Sequence, residues 1–434
     1  MSIPLSYHNP AYGKEVQSLK EESRVIVPPD PRLTRLALAA VGVGVLGFVA
    51  GLLYAPGRMW GAFDANFAFW VGLSEGAIVV AATLVTGFAR WGRTITRIIE
   101  PLGLFSLFSP ILYVVLWFGR GHLFSWIYLR KGDHSPWLQA LPMLWRDELV
   151  LLIMAALTVW WLYRSLRPDL AMTKNRKPDD WLTSWLLRDW KGAWREWSFS
   201  QAVLRNLGPF LIVGFCWGYA MVSIDLTMTL DPKFKSTMFP GIYWVSEFLA
   251  PIALAPALVW AWRRWNSTAH DLITTSNILD MGNMAWGFAI FRTWFDWSQY
   301  IIIWYGNLPD EAHYIMARWR THPWNMLAYI GLGLAFIGPF FAGFSRTLKK
   351  GPLSCAIFGL VIFTGILVER FVDVMPSIPH IGPQDFGFIE LAITIGFAGG
   401  IALPYLWLTQ RVPLFPISDP LFSEALETRG VPET

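Results

Sequence analysis

Six carboxylic acids, Glu75, Asp225, Glu247, Asp296, Glu369 and Glu390, lie inside apolar stretches long enough to cross a membrane. Arg292 and Arg370 are the cations at comparable depth. An ionisable side chain in hydrocarbon costs roughly 2.5–3.5 kcal/mol on insertion scales, so such groups tend to be paired and functional. Here the acids outnumber the bases, so most must be protonated, hydrated or bonded to neutral donors. That chemistry suits a protein that moves protons, or one that faces a redox centre releasing them.

Metal chemistry has less to work with. Cys216 and Cys355 each stand alone in an apolar stretch, and two isolated thiols cannot hold an iron–sulfur cluster. There is no Cys-x-x-Cys-His for covalent haem, and none of the seven histidines sits in the middle of an apolar run. No redox metal is expected to be bound by this chain alone, and a disulfide between the two cysteines is not expected at these depths.

The elements that must position the acids are membrane spans. The chain has 434 residues, 54% hydrophobic and 15% charged, against about 25% charged in a soluble globular chain. Its 26 Trp crowd the ends of apolar runs, as an aromatic belt would. The pattern predicts an all-α polytopic membrane protein with ten transmembrane helices over 33–54, 66–90, 99–118, 147–165, 206–230, 241–262, 276–305, 325–346, 353–374 and 385–409. Residues 1–32 form a polar N-terminal segment without the h-region of a signal peptide, 33–409 the membrane domain, and 410–434 a C-terminal tail. Ten spans put both termini on one face, and that face carries 24 of the 35 Lys and Arg. The positive-inside rule therefore places both termini in the cytoplasm. The basic excess belongs to these loops, and no nucleic-acid partner is expected. The loop from Arg164 to Arg205 carries Trp181, Trp185, Trp190, Trp194 and Trp197, suiting an interfacial helix in the lipid headgroups or a partner-docking helix.

With that orientation, the acids gather in the external half. Glu75 is near mid-depth. Asp225, Glu247 and Asp296 lie roughly 10, 6 and 9 Å external of their span centres at 1.5 Å per residue. The cytoplasmic half is expected to hold only hydroxyls such as Ser106, Thr158, Thr83 and Thr86. Arg292 and Asp296 are four residues apart and suit an intrahelical ion pair, which would lock the bundle or tune a relay. Asp225 and Asp231 could instead terminate a helix before Pro232. Glu75 has no basic neighbour on its own helix, and Thr83 and Thr86 continue its face as a hydroxyl relay. His122, beside Trp126 on the external side, could hydrogen-bond a quinone head group or simply sit in water.

Two stretches carry more than composition. Ser223-Ile-Asp225-Leu-Thr-Met-Thr-Leu-Asp231-Pro232-Lys-Phe-Lys-Ser236-Thr237-Met-Phe239 and Ser298-Gln299-Tyr300-Ile-Ile-Ile-Trp304-Tyr305-Gly306-Asn307-Leu308-Pro309-Asp310-Glu311 resemble signatures of the ActF-type membrane subunit of alternative complex III, within the NrfD/PsrC-like family. The tail from Val412 to Glu424 is similar to that subunit's C-terminal pattern. The chain departs at Leu226 and Phe234, where the signature would carry Trp. The resemblance implies two four-helix bundles flanked by two outer helices in a bacterial cytoplasmic membrane. It also implies a quinol:cytochrome c (or other periplasmic acceptor) oxidoreductase built with a sister NrfD-like subunit, a periplasmic iron–sulfur subunit, c-type cytochrome subunits and lipids. Iron–sulfur clusters and haem c would belong to those partners, with quinone or menaquinone as the electron donor. In such an assembly this chain would supply a proton path through Glu75, Asp225, Glu247, Arg292, Asp296 and Glu390, or a second, weaker quinone pocket at His122 and Trp126. A secondary transporter and a purely structural anchor for redox subunits are the alternatives.

Overall fold

In lipid, a run of apolar residues must satisfy its backbone N–H and C=O groups within itself, and the α-helix does so. The structure is a computed structural model that describes residues 26, 30–128, 137–173, 180–378, 387–419 and 422. It has no strand among those residues. Among the described residues, nine helices are long and apolar enough to cross a membrane. They are α1 (Pro31–Tyr54), α2 (Pro56–Thr86), α3 (Arg93–Phe118), α4 (Ala140–Met172), α5 (Trp194–Leu230), α6 (Phe239–Trp265), α8 (Trp324–Ala342), α9 (Pro352–Ser377) and α10 (Phe388–Thr409). Between α6 and α8 runs α7 (Thr275–Gly306), 32 residues long and in the place of the expected span 276–305. It is not among the nine, because Arg292, Asp296, Ser298, Gln299 and several indoles dilute its apolar residues. Nine of the ten expected spans are therefore matched by helices of this kind, and the remaining one coincides with α7.

Close approaches at small residues give the direction of each helix. Gly44 meets Gly396 and Gly47 meets Ala392, so α1 and α10 run antiparallel. A Cβ at Gly44 would overlap the Gly396 backbone, which is the small-residue contact that lets two membrane helices touch along their main chains. Likewise Thr86 meets Gly208 while Tyr219 reaches Val71, making α2 and α5 antiparallel. The chain thus crosses back and forth. The face where it enters α1 and leaves α10 is termed the entry end, and the opposite face the far end.

Burial ranks the helices. In α2, 94% of the most apolar window is buried, against 17% in α1, so α2 is the axis of the molecule and α1 its rim. α2 packs on α3, α5, α6, α9 and α10. Gly72 and Gly76 allow α6 to close on it so tightly that Glu247 lies against both glycines. At the entry end, Val412, Leu414, Phe415 and Ile417 are buried, so the chain after α10 folds back under the bundle.

Candidate proton-conducting site

The acids of the far half assemble around two guanidinium groups. Arg370 of α9 sits 2.9 Å from Glu247 of α6 and 3.2 Å from Asp373, with its guanidinium 4.3 Å over the Tyr243 ring. Arg292 of α7 sits 2.6 Å from Glu369 and 3.3 Å from Asp296, and its Nε donates to Ser246 Oγ at 2.9 Å. Asp64 of α2 is fully buried, and neither carboxyl oxygen has a hydrogen-bond partner. Five carboxyl groups therefore face two cations. Asp296 and Asp373 are 34% and 23% exposed and can be hydrated, whereas Glu247 and Asp64 cannot. A buried charge without compensation is costly; Glu247 has Arg370 beside it, whereas Asp64 has no hydrogen-bond partner, so the cluster favours keeping a proton on such a carboxyl.

Glu75 lies one layer nearer the entry end. It is fully buried, and its Oε2 accepts from Thr158 of α4 at 3.1 Å. Its Oε1 has no hydrogen-bond partner. The expected hydroxyl relay is rearranged: Thr83 donates to its own helix at Val79 O, and Thr158 and Ser106 of neighbouring helices take its place around the carboxyl. Tyr219 of α5 is within the electrostatic reach of both Glu75 and Glu247, and its hydroxyl donates to Val71 O at 3.4 Å.

Below Glu75 the structure overturns an expectation. The entry half is not limited to hydroxyls. Glu100 and Asp169 are both fully buried there with Arg97 between them. Glu100 Oε1 accepts from Trp161 Nε1 at 2.9 Å and from Ser165 Oγ at 2.8 Å. Asp169 Oδ1 accepts from the Ser418 backbone N–H at 2.8 Å and its hydroxyl at 2.5 Å. Thr158, Trp161, Ser165 and Asp169 follow helical spacing on one face of α4, aimed at α2 and α3. In the sequence, Arg97, Glu100 and Asp169 fall beside span boundaries and resemble interfacial residues. Arg97 binding two acids across α3 and α4 draws all three inside.

The other nominated residues stand apart. Asp225 is fully buried, 2.5 Å from Arg146 Nη2 and 2.8 Å from Trp137 Nε1. Asp147, which accepts from Tyr113 at 2.9 Å, adjoins it and was read as the start of a span. Glu390 has its oxygens taken by Arg58, at 2.5 and 2.7 Å, and by the Gly387 N–H at 2.7 Å. That arrangement clamps the first turn of α10 to α2. His122 is exposed, whereas Trp126 is buried against Phe124. Phe234, in the place of an expected Trp, stacks on Tyr314 with ring centroids 3.6 Å apart. Cys216 and Cys355 are free thiols. No group of three or more His, Cys, Asp or Glu among the described residues could hold a metal ion.

From Asp169 through Glu100, Ser165, Thr158, Glu75 and Tyr219 to Glu247 and Arg370, protonatable or hydrogen-bonding side chains reach both ends of the helices. Between Ser165 and Thr158 the series passes over two turns of α4, about 10 Å of helix rise. No protein-family model matches the sequence, and no curated protein matches it at a significant level.

Proposed function

We propose that the chain is a membrane subunit of a quinol:electron-acceptor oxidoreductase and conducts protons along this line of buried side chains. The observation that carries the reading is Glu75, a carboxyl at mid-depth with no cation in contact, bracketed by an acid cluster on either side. In this reading α7 is the tenth span and the entry end is cytoplasmic. The helices α2 to α5 and α6 to α9 form two four-helix groups, with α1 and α10 outside them.

Oxidation of a quinol releases two protons and two electrons. The electrons would pass to an iron–sulfur centre and c-type haems held by partner subunits, since this chain offers isolated thiols and scattered histidines. The chain's own work is on the protons. Asp169 and Glu100 exchange protons with the cytoplasmic face, with Arg97 holding both in place. Ser165 and Thr158 hand a proton along α4 to Glu75. From there Tyr219 and Glu247 carry it towards the Arg370 and Arg292 clusters, where the half-exposed Asp373 and Asp296 meet water. Arg292 positions Asp296 and Glu369 and offsets their charge. Asp225 and Asp147 form a separate pair beside this route, and Glu390 a mechanical clamp.

Purification of the chain from its native membrane tests the assembly. Co-elution of haem- and iron-containing subunits with quinol oxidation activity is expected. A chain that purifies alone and moves a solute in proteoliposomes would instead make it a transporter.

A further inference from the structure

The last turns of α4, the first turns of α5 and the loop between them enclose a cavity of about 810 Å³ at the entry end, lined by none of the residues of the proton line. Six cationic side chains line it, Arg164, Arg167, Arg188, Lys191, Arg195 and Arg205, against two carboxylates, Asp189 and Glu196. Glu196 is fully engaged by Arg167, at 2.9 Å from both Nε and Nη2. Asp189 is 84% exposed and pairs loosely with Arg188 at 3.9 Å. Among the described residues, no ion pair offsets Arg164, Lys191, Arg195 or Arg205.

Two of these arginines are held ready. Arg164 lies 4.7 Å over the Phe199 ring and Arg205 4.8 Å over Phe88, and the Nε of each is buried without a hydrogen-bond partner. Guanidinium groups fixed by ring faces present forked donors suited to phosphate oxygens. Trp194 and Phe199, both exposed, also line the cavity. Further along α5, Phe210, Val213 and Trp217 are 72, 55 and 77% exposed, an outer face fit for acyl chains. A cationic cavity at the end of two spanning helices, continuous with an apolar outer face, matches one kind of molecule in both its parts.

We propose that this cavity binds the phosphodiester headgroup of an anionic phospholipid, with its acyl chains along the outer face of α5. The assignment requires only that α4 and α5 cross a membrane and is independent of the quinol chemistry.

The test is lipid retention by the full chain, or its native complex, from nanodiscs of mixed phosphatidylglycerol and phosphatidylcholine, read by native mass spectrometry. Selective retention of phosphatidylglycerol is expected, and Arg164→Gln with Arg205→Gln should weaken it about 25-fold, roughly fivefold per cation removed. If that variant fails to fold, Lys191→Gln with Arg195→Gln, both exposed at the rim, should lower retention in the same direction. Arg32→Gln with Arg35→Gln, exposed at the same end but outside the cavity, should leave it unchanged. Unaltered retention in a folded cavity variant, an equal loss in the Arg32 and Arg35 control, or displacement of the lipid by inorganic phosphate alone would each overturn the assignment.

Discussion

Replacing Arg370 with Met removes the cation that Glu247 contacts, and the surroundings let the cost be worked out. Glu247 is fully buried with Gly72 and Gly76 against it, so water has no room to replace the guanidinium. Breaking a buried ion pair by taking one partner costs about 3–5 kcal/mol, because the other charge is stranded. Asp373 loses the same partner at 3.2 Å but is 23% exposed and can be hydrated, so it adds little. Glu247→Gln should cost less, about 1.5–3 kcal/mol for a charged hydrogen-bonding contact, since Arg370 keeps Asp373. Glu247→Met combined with Arg370→Met removes both charges, a change that is often neutral or stabilising in buried pairs. The double variant should therefore be more stable than Arg370→Met alone. Unfolding free energies in mixed detergent micelles would read all three, with Glu247→Met alone completing the cycle. A cost under about 1 kcal/mol for Arg370→Met, or strictly additive losses in the double variant, would refute the reasoning.

Further outcomes follow from contacts elsewhere. Gly396→Val should destabilise the chain by about 1–3 kcal/mol, seen as a lower melting temperature, because its side chain meets the Gly44 backbone. Asp169→Ala should free the segment after Arg411, whose Ser418 it holds through two hydrogen bonds. Trypsin should then cut after Arg411 about tenfold faster or more, given about 1.5–3 kcal/mol for hydrogen bonds to a charged group. Glu390→Gln should lower stability by weakening the Arg58 clamp and leave proton transfer at the wild-type rate, a separation that equal loss of both would contradict.

Much of the scaffold was legible because a membrane span is a one-dimensional signal. Long apolar runs mark the helices, and Arg292 with Asp296 form the pair that their spacing of four predicts. The boundaries were not legible where charge is buried by a partner far away in sequence. α2 begins at Pro56, two turns before Asp64, and hides that acid in a stretch that looked too polar for a span. α4 extends from Ala140 to Met172, bringing Asp147 and Asp169 inside. For Asp147 and Asp169 the deciding contact crosses between helices: Tyr113 to Asp147 and Arg97 to Asp169. Hydropathy along one helix carries no trace of such pairings. For the same reason Glu75 stands out within its own helix, while Thr158, its hydrogen-bond donor, lies on another.

Proton movement across the membrane by the reconstituted complex, measured with Glu75→Gln and Glu75→Asp, tests the account most directly. The amide, which cannot take up and release a proton, should slow proton transfer by about a hundredfold or more, with the complex still assembled. The shorter acid should restore part of the rate. Wild-type rate and stoichiometry in Glu75→Gln would contradict it.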